Sequence, residues 1–190
     1  MSTPQIHLEH IERIPAYPQG AHIALLQKCI VALDSQGHES GMLLLVEKVD
    51  EPISTTADVK EYCFQVCWTQ PVDDILRDAH QDLFESVEDS AKALGSLLIT
   101  ELTQYTTRRQ ALRGTGVDYY LVNPNASLPF QPETTATVEF TGILNDVSSV
   151  ERRINKKKKR LQTISNPLYP VFIVCVEHSF PFARMEKVSL

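Results

Sequence analysis

The sequence predicts an α/β protein, a central mixed sheet flanked by helices, and three observations carry that reading. Apolar side chains recur at helical spacing from Leu83 to Tyr105, within a helix read over about 74–112. Residues 117–122 and 135–144 read as two strands separated by turn formers. A basic helix then leads into residues 171–177 (VFIVCVE), an almost unbroken apolar run of the kind found in strands buried on both faces. Strand, basic helix and apolar strand in that order make a βαβ-like crossover. The 190 residues are enough for one compact domain, read as an N-terminal β-rich extension over 1–70 and an α/β core over 71–190.

The first ten residues lack a basic segment followed by an apolar one, so they do not read as a signal peptide. No apolar run approaches the roughly 18 residues needed to span a bilayer. With four cysteines and no disulfide framework, this predicts a cytoplasmic protein with no membrane association. Residues 22–33 (HIALLQKCIVAL) and 41–49 (GMLLLVEKV) flank a loop of turn formers and read as a hairpin. The first run has a helix as its alternative reading, since period does not separate the two in short apolar runs. A polar loop over 51–60 precedes a strand at 61–69 (EYCFQVCWT). Cys63 and Cys67 on one strand would lie about 13 Å apart, too far for a disulfide, and read as buried small hydrophobes. His22 and His38 read as surface or turn residues rather than ligands.

Pro71 opens the helical section, and Asp73 and Asp74 suit a helix start through capping and the helix dipole. Leu83, Val87, Ala91, Leu94, Leu98, Leu102 and Tyr105 then form one face of a helix read as running to about Leu112, with a break allowed. Glu88 lies at the edge of that stripe and Glu101 within it. Gly114 and Gly116 stop the helix. The two strands after them each carry one carboxylate, Asp118 and Glu139, among apolar neighbours, with Gly142 marking a possible bulge. A carboxylate there must be exposed, paired or cation-bound, because burying it alone is very costly. If the strands pair through the turn-rich 123–133 connection, both acids can point to one spot. Such an oxygen pair suits Mg²⁺, which takes one or two carboxylates and keeps several waters.

Asp146 or Ser148 is placed to cap the next helix, and Ser148 with Glu151 fits a capping box. Its apolar stripe is Val150, Ile154, Leu161 and Ile164. Arg152, Arg153, Lys156, Lys157, Lys158, Lys159 and Arg160 supply seven of the chain's eighteen Lys and Arg residues, in a chain of net charge −6. That concentration reads as a phosphate-contacting helix giving salt-dependent, sequence-blind nucleic-acid binding, or as a solvated face. Lys157 falls on the apolar stripe. It either extends past the sheet to solvent or points into the carboxylate site. Residues 166–170 read as a turn, and 180–190 as an irregular or docked tail.

The order helix, Asp-bearing strand, Glu-bearing strand, basic helix and strand, over roughly 74–179, resembles the PD-(D/E)XK nuclease family. The resemblance implies a restriction-endonuclease-like core, Mg²⁺-dependent phosphodiester hydrolysis on DNA or RNA, and a bacterial or phage setting. It matches Asp118 and Glu139 to the family's metal-binding acids, and offers Glu88 or Glu101 as a further acid from the first helix. The family's lysine position falls on Thr141, which cannot supply the charge. The resemblance places the site at Asp118, Glu139 and Thr141; Lys157, from its place on the helix stripe, is read as a replacement for the missing cation, so that Lys157 or Thr141 meets the water or phosphate. The phosphate-binding face would comprise Arg152, Arg153, Lys156, Lys158, Lys159 and Arg160.

The chain has no phosphate-loop, dinucleotide-fingerprint or nucleophile-elbow motif. Gly114-Thr-Gly116 precedes a strand instead of opening a helix, unlike a phosphate loop. The missing lysine keeps a second class in play: a non-catalytic subunit that binds nucleic acid or a partner protein on a degenerate nuclease fold. A structural or assembly protein whose basic helix meets an acidic partner is a third.

Overall fold

The computed structural model describes residues 3–18, 20–50, 58–125, 135–163 and 169–188. Their organising element is a single eight-stranded mixed sheet. The strands are β1 (Gln5–His7), β2 (Met42–Asp50), β3 (Asp58–Cys67), β4 (Thr106–Gln110), β5 (Tyr119–Val122), β6 (Thr135–Ile143), β7 (Val171–Glu177) and β8 (Phe182–Val188). Their order across the sheet is β1-β3-β2-β8-β7-β6-β5-β4. The N-terminal third therefore shares its sheet with the core, through the parallel β2/β8 ladder.

Helices α1 (Ala21–Asp34), α2 (Asp74–Ala79), α3 (Leu83–Leu102) and α4 (Val150–Thr163) complete the fold. The larger core joins α1 and α3 to one face of the sheet, with Ile30, Leu33, Leu94 and Leu98 against Leu44, Val138, Phe140, Val174 and Met185. A smaller core seats α4 on the other face, through Val150, Ile154 and Leu161 against Ile143, Val171, Ile173 and Cys175. The expected crossover is present: β6 and β7 pair in parallel and α4 links them in sequence.

Several expectations need correction. Residues 22–33 are helical, not the first strand of a hairpin. The segment is rich in Ala, Leu, Gln and Lys, which lose little rotamer freedom in a helix. β2 instead pairs antiparallel with β3, which begins at Asp58, inside the expected polar loop; residues 51–57 lie outside the described segments. The long helix is two. Asp73 caps α2 by accepting from the Leu76 amide at 2.8 Å, as its position suggested. Asp82 caps α3. α3 stops at Leu102, and Thr106-Thr107 open the edge strand β4, since β-branched residues favour an extended chain.

The Ser148 capping box does not form. The Ser148 hydroxyl donates to Asp146 Oδ1 at 2.5 Å, and a 3₁₀ turn over Val147–Ser149 leads into α4. The tail is strand β8, with Ala183 and Met185 buried in the larger core. Gly142 marks no bulge against β7, where the register is regular. Its role is close approach: a Cβ there would lie 2.4 Å from the Val87 carbonyl oxygen of α3. Gly95 of α3 is similar, as its Cβ would sit 2.5 Å from the Phe140 ring. Ile164 and most of the connections expected at 123–133 and 166–170 also lie outside the described residues.

Candidate functional site

The site forms where β5 falls short of β6. The β5/β6 ladder begins at Tyr119 opposite Val138. From Glu139 to Ile143, β6 has β7 on one side and, among the described residues, no strand on the other. Asp118 lies one residue ahead of β5, not inside it. Its amide donates to the Val138 carbonyl at 2.9 Å, and its Oδ2 accepts from the Phe140 amide at 2.7 Å. The carboxylate thus satisfies a β6 amide that a neighbouring strand would otherwise engage.

α3 approaches the same open stretch. The missing side chain at Gly142 lets Val87 reach β6, which brings Glu88 to the cavity beside it. Burial raises the Glu88 carboxyl above its usual range. Lys157, the Gly142 amide, Lys92 and Arg153 oppose that shift without cancelling it. Glu101, the alternative acid, is exposed at the far end of α3 and lies outside the cavity.

Glu139 is 2% exposed on the face of β6 covered by α4. Lys157 donates to its Oε1 at 2.5 Å, and Arg160 Nη2 donates to the same oxygen. Arg160 Nη2 also donates to the Gly116 carbonyl at 2.9 Å, joining α4 to the glycine turn. Glu139 Oε2 is buried with no hydrogen-bond partner. Of the two readings open for Lys157, the structure takes the second: its ammonium enters the carboxylate site. Lys92 of α3 and Arg113 complete the charged lining of a cavity of about 560 Å³, four cations against the three acids Glu88, Asp118 and Glu139.

Thr141 was expected to meet water or phosphate. It is 2% exposed, packs in register beside Cys175, and does not line the cavity. The two-residue period of a strand puts it on the Glu139 face, but away from the cavity. The basic helix also divides. Lys158 pairs with the buried Glu186, which Arg184 binds as well, so this lysine is occupied inward. Arg160 belongs to the cavity. Arg152 reaches Asp146 at 3.7 Å, while Arg153, Lys156 and Lys159 are exposed and, among the described residues, unpaired. Arg152, Lys156 and Lys159 border a shallow groove on the solvent side of α4.

Sequence reasoning missed Lys92 and Arg113. Lys92 stands four residues after Glu88, one helical turn along the same face, so the spacing that singled out Glu88 could have found it. Among the described residues, no cluster of three or more His, Cys, Asp or Glu is arranged to hold a metal ion, and no helix is long and apolar enough to cross a membrane. The cavity's acids nonetheless offer oxygen only, the donor set Mg²⁺ takes, and the buried Oε2 of Glu139 is an acceptor without a partner. Comparison with protein-family models, curated proteins and solved structures finds no match to this chain.

Proposed function

We propose that the cavity between β6, α3 and α4 is a phosphodiester site of a Mg²⁺-dependent nuclease. The observation that carries this reading is the convergence on one cavity of Glu88 from α3, Asp118 from the residue ahead of β5 and Glu139 from β6, with Lys157 and Arg160 beside them. Asp118 and Glu139 would hold the ion, and Glu88 would support it. When bound, Mg²⁺ would polarise a phosphoryl oxygen and lower the pKa of a bound water. Lys92, Arg113, Lys157 and Arg160 would attract and orient the phosphate anion, with the guanidinium groups able to take two oxygens at once. The exposed row Arg152, Arg153, Lys156 and Lys159 would add sequence-blind backbone contacts.

The test is plasmid nicking in Mg²⁺ or Mn²⁺, comparing the intact chain with Asp118→Asn and Glu139→Gln. Nicking that disappears in both variants supports the proposal. Nicking that persists in both removes these acids from the chemistry.

A second reading has its own support. Glu139 is neutralised by two cations and Thr141 is buried, which suits a non-catalytic subunit that holds nucleic acid on the basic helix. That reading predicts salt-sensitive DNA binding with no divalent-ion requirement and no nicking. Acidic protein partners would compete for the same basic face.

A further inference from the structure

We propose that Arg160 is a latch on Glu139, released when its guanidinium engages a phosphodiester, so that phosphate binding opens the carboxylate to a divalent cation. The inference rests on the nuclease reading and goes beyond it by coupling the two ligands.

Three features carry it. First, Lys157 and Arg160 crowd one oxygen of Glu139 while the other has no partner. A buried carboxylate so arranged is half satisfied, and a buried acceptor without a partner is expensive. Second, Oε2 is closed to solvent, so a cation reaches it only after a covering group withdraws. Of the two cations held on Glu139, Arg160 is the freer to move: its side chain is 50% exposed, against 24% for Lys157. Third, both contacts of Arg160 use Nη2, to Glu139 and to the Gly116 carbonyl. Among the described residues, Nε and Nη1 meet no acceptor, so an incoming anion finds single donors free, and a two-oxygen grip on it requires Nη2 to give up one of its present contacts.

A phosphodiester offers the guanidinium two oxygens in place of one shared carboxylate oxygen. The same cation cannot neutralise both acids fully, so gaining phosphate weakens its hold on Glu139. Linkage then requires reciprocity: if phosphodiester strengthens cation binding, the cation strengthens phosphodiester binding by the same factor. In the empty protein Arg160 stands where positive charge is needed. In the loaded one the divalent ion would replace it.

The test is Mn²⁺ binding, followed by the electron paramagnetic resonance signal of free Mn²⁺, on the full chain with and without dimethyl phosphate. Wild type should bind Mn²⁺ about ten-fold more tightly in dimethyl phosphate, within the usual range of such couplings. Arg160→Met keeps the apolar stem and removes the fork. It should bind Mn²⁺ about as tightly without dimethyl phosphate as wild type does with it, and gain nothing on its addition. The wild-type comparison needs no substitution, so a folding defect in the variant would not spare the proposal. Mn²⁺ binding that depends on Glu139, yet is indifferent to both dimethyl phosphate and Arg160, overturns the latch and leaves the nuclease reading standing. No Mn²⁺ binding by either protein under any of these conditions overturns both.

Discussion

Replacing Gly142 by alanine should push α3 away from the sheet. A Cβ at this position would lie 2.4 Å from the Val87 carbonyl oxygen, 2.6 Å from Val87 Cγ1 and 2.8 Å from the Val87 carbonyl carbon. Two of these three atoms belong to the helix backbone, so a side-chain rotation cannot relieve the overlap. Restoring ordinary contact requires α3 to move by roughly 1 Å, and overpacking of this kind costs about 1–3 kcal/mol. The alanine also restricts the unfolded chain, which returns about 0.4–1 kcal/mol. The expected net loss is therefore about 1–2 kcal/mol, or a fall in Tm of about 2–8 °C for a chain of this size. Urea unfolding, with its midpoint and slope, measures it. Because Glu88 follows Val87, the same shift should draw its carboxylate out of the cavity and bring its pKa back toward the ordinary value. An alanine variant as stable as the parent, or more so, would refute the close packing of α3 on β6.

Other outcomes follow from the charges. Glu88 has a raised pKa, so its charged form is disfavoured in the fold, and wild type gains stability as pH falls through that pKa. Glu88→Gln should equal or exceed wild type in stability at pH 7 and lose the advantage in acid; a loss at neutral pH contradicts the burial argument. His178 is fully buried, its Nε2 2.8 Å from Ser90 Oγ and its Nδ1 3.0 Å from the Ile143 carbonyl oxygen, and burial lowers its pKa. The unfolded chain protonates this histidine first, so its contribution to stability is lost as pH drops below about 6.5 toward the lower folded value. Urea melts between pH 5 and 7.5 should show that slope in wild type and a shallower one in His178→Phe; equal slopes would sink the assignment. In DNA binding, Lys156→Ala and Lys159→Ala should each reduce the salt slope by about one, whereas Lys158→Ala should leave it unchanged and instead leave the buried Glu186 to Arg184. A slope that responds to Lys158 and ignores the other two would overturn the division of the helix into inner and outer cations.

The fold was legible wherever one periodicity ran without competition. Residues 171–177 carry only a strand reading, and Leu94 and Leu98 carry only a helical one; both became core. The sequence was ambiguous over 22–33, where continuous hydrophobicity masks the period. The run Thr103 to Thr107 is rich in β-branched residues, but Tyr105 carried the apolar spacing past the true stop at Leu102. The tail was misjudged because FARMEKV mixes charges into the strand. Arg184 and Glu186 pair with one another, and Lys158 of α4 completes the cluster from a distance along the chain that no local window contains.

The site divided in the same way. Asp118, Glu139 and Lys157 stand together as their periods suggested. Arg113 and the bond from Arg160 to Gly116 depend on how the glycine turn folds back, with Gly114 and Gly116 both at positive φ. Spacing along the chain says nothing of that geometry.

The stretch of β6 beyond the short β5, which has no second neighbouring strand among the described residues, has a consequence for assembly. A naked strand margin is a template on which a foreign chain can zip, and natural sheets guard such margins. Here the Asp118 carboxylate plugs the Phe140 amide, and Glu88 stands over the next one. Asparagine at 118 keeps a plug, since its carbonyl oxygen still accepts; alanine pulls it. A chain with alanine at 118 would present an unsealed seam, and its self-association on concentration would mimic loss of function without touching chemistry at all.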